Sequence, residues 1–147
     1  MLRHMQAANH TPLCIARHTI QFIWNISSQE NSMGLLGRRN NLSIDSVTTI
    51  SSYDSQDIAP IAAQWQKENI ALCGIFHNQP MDTIQMQNHE VMLQIHFKDH
   101  TDTPFIHLQI ISDTKGCLES QAWILEDEQA VKVPLLLLED GQHQQIS

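Results

Sequence analysis

The chain has 147 residues, of which 41% are hydrophobic and 16% are charged, a composition typical of a folded globular protein. Its formal net charge of −8 argues against a nucleic-acid backbone or a membrane surface as a partner. The three cysteines lie far apart without a CxxC motif, which favours a reducing, cytoplasmic location. No apolar run approaches the roughly 20 residues of a membrane helix. We expect one domain over 11–140, with a flexible leader at 1–10 and a flexible tail at 141–147.

The first fifty residues predict a helix followed by a hairpin. Residues 13–16 fit either a short extended piece or a first helical turn. Apolar residues at helical spacing predict an amphipathic helix over 17–27. A short buried strand at 32–37 is followed by a polar turn at 38–41, so residues 42–51 are expected to return as the second strand.

The middle of the chain predicts a helix and then the central strand of the domain. Asp57 is expected to cap the helix, and Asn69 to end it. Residues 70–77 are almost continuously apolar, which predicts a strand buried on both faces. That strand ends in His77, followed at once by polar residues. A histidine delivered on a rigid strand is a common element of metal and catalytic sites.

The next thirty residues predict little regular structure at first. Residues 81–90 are polar and are expected to be irregular. Apolar and polar residues alternate over 93–98 with the period of a strand, and the choice between strand and helix over 91–98 stays open. Residues 99–104 are then expected to form a loop.

The last third of the chain predicts strands. Residues 105–112 alternate, with His107 expected to face solvent. Residues 119–125 and 130–138 are expected to pair as a hairpin across an acidic turn. The sum is an α+β domain, in which two or three helices flank a mixed sheet.

Three short strings, in this order, resemble the JAB/MPN family. They are NSMGLLG at 31–37, GIFHNQP at 74–80, and LQIISDTKG at 108–116 with QAWI soon after. The resemblance covers roughly residues 13–138 and implies a JAB/MPN-like, cytidine-deaminase-like fold. Active members of that family are zinc-dependent isopeptidases or peptidases. Their zinc is held by a His-x-His pair and an Asp on the following helix, and a Glu acts as general base.

Residue by residue, the resemblance implies a degenerate site. His77 matches the first zinc ligand, while the second falls on Gln79, whose neutral amide is a poor ligand. The family's Ser position falls on Gln87 and its Asp position on Glu90. The general-base position falls on Asn31, which cannot take a proton.

Neighbouring residues offer replacements for the lost groups. Glu30 lies one residue before the base position, although a shift of one residue in a strand turns the side chain to the opposite face. His89 lies beside Glu90 and supplies an imidazole near the expected site.

The sequence therefore leads to two hypotheses. The first is a JAB/MPN-like domain that has lost its zinc and binds or scaffolds another protein. Its partner would be a ubiquitin-like or sulfur-carrier-type tail, an active enzyme subunit or a second copy, with an extended peptide added as a strand beside His77 and Gln79. The alternative is a divergent zinc-dependent isopeptidase or peptidase that uses His77, Glu90, His89 and, as displaced base, Glu30.

Overall fold

The computed structural model describes residues 12–27, 32–40, 42–112 and 115–139. Within those ranges the chain forms three helices, α1 (Arg17–Ser27), α2 (Ser55–Lys67) and α3 (Thr83–Phe97). The strands are β1 (Leu13–Ala16), β2 (Met33–Arg38), β3 (Ser46–Thr49), β4 (Ala71–His77), β5 (Thr101–Ser112), β6 (Leu118–Glu126), β7 (Gln129–Val133) and β8 (Leu135–Leu138). A short 3-10 turn, Lys98–His100, precedes β5.

The main sheet has six strands in the order β3-β2-β4-β5-β6-β7. Strands β4 and β5 are parallel, and the other neighbours in this sheet are antiparallel. Strands β1 and β8 form a separate parallel pair. A mixed sheet flanked by helices confirms the predicted α+β class, and the predicted helix at 17–27, hairpin and central strand are also confirmed.

Helix α3 is the main difference from the sequence prediction. Residues 81–90 were expected to be irregular and 93–98 to alternate as a strand, yet the helix covers both stretches. Parallel strands need a crossover, usually a helix, and α3 supplies it between β4 and β5. Asp82 starts the helix with a capping box, accepting from the Gln85 N–H at 2.8 Å. The buried stripe Met86, Leu93, Phe97 is interrupted by polar residues, which hides its helical period.

Three further predictions are corrected at the level of element boundaries. The N-cap of α2 is Asp54, because Asp57 lies in the first turn and accepts a hydrogen bond from the Ser52 hydroxyl instead. Strand β5 already begins at Thr101, inside the expected loop. The expected strand over 130–138 is divided by Pro134, which lacks the N–H that a continuing ladder needs. Strand β8 therefore pairs with β1 rather than with β6.

The sheet is covered on both faces, and each face carries its own apolar core. Phe76, Ile106 and Leu108 pack with α1, while Ile75 packs with α2 and α3. The strands approach closely where glycines lie: a Cβ on Gly34 would stand 2.2 Å from the Thr48 carbonyl oxygen and 2.3 Å from the Phe76 ring. The GLLG string of the sequence is thus explained by strand packing.

Two smaller findings concern membranes and thiols. No helix within the described ranges has the length and hydropathy needed to cross a membrane. Cys14 and Cys73 are free thiols, and burial raises the pKa of Cys73 to about 12.

Candidate functional site

Two buried histidines lie on neighbouring strands, near the C-terminal end of β4. His77 is the last residue of β4, and His107 of β5 is the register partner of Ile75. Side chains two residues apart share a face of a strand, so both imidazoles lie on the face that α2 and α3 cover. Their exposed fractions are 2% for His77 and 0% for His107, which corrects the prediction that His107 faces solvent.

His77 is held in one tautomer by its own turn. Its Nδ1–H donates to the backbone carbonyl of Gln79, and its Nε2 is buried without a hydrogen-bond partner among the described residues. Burial, with smaller contributions from the neighbouring His107 and His89, lowers the pKa of His77 to about 4 against the opposing effect of the Gln79 carbonyl. The ring is therefore neutral at pH 7.

Helix α3 places two more polar side chains against these imidazoles. Glu90 Oε1 lies 3.4 Å from His107 Nε2, which is longer than a normal hydrogen bond. The His89 ring stacks on Tyr53, with centroids 3.9 Å apart and an angle of 16°. Burial, and then the proximity of His107, lowers the pKa of His89, and burial raises the pKa of Tyr53.

We call these five residues the imidazole cluster: His77, His89, His107, Glu90 and Tyr53. Several of its polar atoms are buried without a hydrogen-bond partner among the described residues, namely His77 Nε2, His89 Nδ1, both ring nitrogens of His107 and the Tyr53 hydroxyl. Each such atom costs about 1–3 kcal/mol when it is left unpaired. Buried polar groups in native proteins normally have hydrogen-bond partners. A group of unpartnered ones therefore calls for an explanation other than fold stability, such as a functional role.

The structure brings together some of the predicted site residues and separates others. His77, His89 and Glu90 meet in the cluster, whereas the Gln79 side chain is exposed on the turn after β4 and Gln87 is half-buried on α3. Glu30 and Asn31 lie outside the described residues.

Sequence reasoning missed His107, although a signal for it existed. The alternation of β5 that places Ile106 and Leu108 on one face places Phe105 and His107 on the other. In a sheet covered on both faces, both sets of side chains are buried. The second face is covered by α3, whose helical period is masked in the sequence. The prediction that His107 faces solvent was wrong because it did not include this helix.

The residues do not fit the family's zinc arrangement. The side chain at the second-ligand position, Gln79, points to solvent while His77 is buried. Imidazole and carboxylate donors are present in the cluster and are of the type that zinc prefers. Within the described ranges, however, no three His, Cys, Asp or Glu side chains are grouped closely enough to hold a metal ion.

The topology also excludes strand addition next to His77. Strand β4 already pairs with β2 on one side and with β5 on the other, so it has no free backbone edge. In the main sheet the edge strands are β3 and β7. In this sheet an extended peptide would have to add at one of these two strands, which corrects the expected position beside His77 and Gln79.

The outer side of α3 is unusually apolar. Ile84, Val91, Met92 and Ile95 are 68%, 58%, 38% and 62% exposed. Three of them, Ile84, Val91 and Ile95, recur seven and four residues apart and so share one helical face. We call these four residues the α3 outer stripe. The helix thus buries part of its polar side and exposes an apolar one.

Comparison with known proteins gives information on the fold and none on the activity. No family model matches the chain, and no curated protein matches it. At the level of the fold, the chain resembles the solution structure of protein DSY2949 from Desulfitobacterium hafniense. The TM-score is 0.61 at 12% identity, covering 89% of this chain and 96% of that one. This likeness supports the α+β architecture.

Proposed function

We propose that the chain is a JAB/MPN-like domain that binds or scaffolds another protein rather than cleaving it. The α3 outer stripe is the observation that carries this proposal. Exposed apolar side chains that are grouped on one face mark protein-interaction sites, whereas isolated ones are common on any surface. Here three side chains on one helical face are each more than half exposed.

The candidate site supports a binding role in a second way. The family's second ligand is replaced by an amide that faces solvent, and His77 is buried and neutral at pH 7. A hydrolytic zinc site needs about three ligands and an open position for water. Gln79 is an exposed amide, so it does not supply one of those ligands.

The proposed partner is a protein. By family analogy it is a ubiquitin-like or sulfur-carrier-type protein or an active enzyme subunit, and a second copy of this chain is a further candidate. The net charge of −8 disfavours nucleic acid and anionic membranes. The proposed location remains the cytoplasm.

An NMR titration of the labelled full chain with ubiquitin and with a sulfur-carrier protein tests the proposal. We expect saturable shifts at the α3 outer stripe for one of them, without cleavage of a tail-linked substrate in added zinc. Val91→Glu should weaken binding at least about tenfold, or about 1.4 kcal/mol. Gln66→Glu, which adds the same charge on the exposed side of α2, is the matched control. Stoichiometric zinc at His77 together with metal-dependent hydrolysis would contradict the proposal.

A divergent zinc-dependent isopeptidase or peptidase is the second candidate. The observation in its favour is the set of buried, unpartnered imidazole nitrogens of His77, His89 and His107 beside Glu90. Glu30 would be the displaced general base. In this candidate the zinc would activate water, and the side chains of the cluster would have to rearrange to hold it.

Metal analysis of the purified chain, with and without added zinc, separates the two candidates. If the chain is an enzyme, His77→Ala loses both the bound metal and the activity. His100→Ala, which removes a histidine outside the cluster, should then change neither. If the His77→Ala variant has the same metal content and activity as the wild type, the enzyme candidate is excluded.

A further inference from the structure

Strand β3 has a free backbone edge within the described residues. It is the first strand of the main sheet and pairs only with β2. The Ile50 N–H, just after β3, donates to the Met33 carbonyl on the β2 side at 3.1 Å. Because successive N–H groups along a strand alternate in direction, those of Val47 and Thr49 face away from β2. An extended backbone is the partner that matches such an edge.

A cavity of about 480 Å³ lies along this edge. Its base is the stretch from Asp45 to Thr48, and its two sides come from opposite faces of the sheet. His18 and Phe22 of α1 line one side, and Trp65 and Glu68 of α2 line the other. The volume is within the range of ligand sites. A strand added to β3 would send alternate side chains to the two sides.

The chemistry of the cavity favours a particular kind of segment. Phe22 is 43% exposed at the rim and offers apolar surface to a large apolar side chain on the α1 side. Two carboxylates, Asp45 and Glu68, stand against one guanidinium, Arg39, which reaches Glu68 at 3.5 Å. In a chain of net charge −8, this excess of negative charge favours a basic residue in the partner.

We propose that β3 and this cavity bind an extended, basic segment of a partner protein as an added strand. Main-chain hydrogen bonds to Val47 and Thr49 supply affinity, and the two sides of the cavity supply selectivity for one large apolar and one basic side chain. This inference rests on the proposed protein-binding function and adds a second surface to the α3 outer stripe.

Fluorescence anisotropy with the full chain and a labelled synthetic peptide tests the inference. The probe alternates valine and threonine and carries one central lysine. We expect saturable binding that weakens at least about tenfold when a central valine of the peptide is replaced by proline, and again when its lysine is replaced by glutamate. Amide exchange of Val47 and Thr49 should slow in the complex.

Variants of the chain give the reciprocal test. Thr49→Pro removes an N–H that faces away from the sheet, which an edge strand tolerates, and is expected to weaken the peptide at least about tenfold. Phe22→Ala, on the exposed rim, is the second variant if circular dichroism shows that Thr49→Pro does not fold. Leu136→Ala, which truncates an exposed side chain of β8 outside the cavity lining, is the matched control and should bind the peptide as wild type does.

Three results would overturn the inference, the first two of which concern the peptide. One is no binding at peptide concentrations up to about 1 mM. The other is equal binding of the proline-containing and unbroken peptides. The third is a protein partner that no longer binds the Val91→Glu variant but still binds the Thr49→Pro variant. This result would overturn the β3 site and leave the proposed function intact. Peptide binding at β3 in a chain that cleaves its partner with zinc would instead contradict the proposed function alone.

Discussion

The two faces of the main sheet are buried to a similar degree but with different chemistry. The face under α1 is packed almost wholly with aliphatic and aromatic side chains, among them Ile23, Phe76 and Leu108. The face under α2 and α3 is equally apolar around Ile75 and Leu93, and then gives way to the imidazole cluster near the end of β4. Both faces include buried polar atoms without a hydrogen-bond partner among the described residues, such as the Thr19 hydroxyl of α1, but only the second face groups three imidazoles that are costly to bury in this way.

The largest effect is expected from truncating the α1 face. Phe76 is fully buried and packs against Gly34, so Phe76→Ala leaves a cavity that the close strands cannot fill. We expect a loss of about 3–5 kcal/mol in the free energy of unfolding, measured by urea denaturation. A loss below about 1 kcal/mol would show that this face is not rigidly packed.

A pH-dependent effect is expected from the other face. The folded pKa of His77, about 4, lies below the ordinary histidine value of 6.5, so the unfolded chain binds more protons between these values. Stability from this group is therefore full above about pH 6.5 and falls as the pH falls towards 4, by at most about 1.4 kcal/mol per pH unit. Urea denaturation from pH 7.5 to 4.5 should show a shallower slope for His77→Phe. His100→Phe controls for the loss of one histidine, and identical slopes for His77→Phe and wild type would refute the assignment.

A smaller effect, of opposite sign, is expected at His107. Its two ring nitrogens are buried without hydrogen bonds among the described residues. Replacing an unsatisfied polar group by an apolar one is neutral or stabilising, so His107→Leu should raise the stability by up to about 1 kcal/mol. Leu108→Ala, on the opposite face of the same strand, should cost about 2–5 kcal/mol. Marked destabilisation by His107→Leu would mean that His107 is engaged in solution by water, metal or a partner.

The smallest effect on stability is expected on the outer side of α3. Val91 is 58% exposed, and surface substitutions usually change stability within about 0.5 kcal/mol. The Val91→Glu variant should therefore have the melting temperature of the wild type but should no longer bind the proposed partner. A large fall in melting temperature would show that the stripe is packed within the chain rather than reserved for binding.

Helix α3 shows why part of the candidate site was predictable and part was not. Local cues were sufficient for α1, β4 and His77, since their apolar patterns match one period throughout. In α3, His89 and Glu90 interrupt the buried stripe while Val91 and Ile95 are apolar on the outside. The helical pattern is thereby masked, and the short alternation after Leu93 imitates a strand. The same residues that obscure the helix are the ones that build the cluster.

By itself, the sequence determined the α+β class and the central strand that ends in His77. These follow from local hydrophobic periods and from the identity of single side chains. Only the tertiary structure decided that His107 is buried beside His77, that Glu90 reaches it from α3, and that β3 has a free edge whereas the strand bearing His77 has none. Such facts depend on which strands become neighbours and which helix covers them, and these long-range pairings leave no period in the sequence.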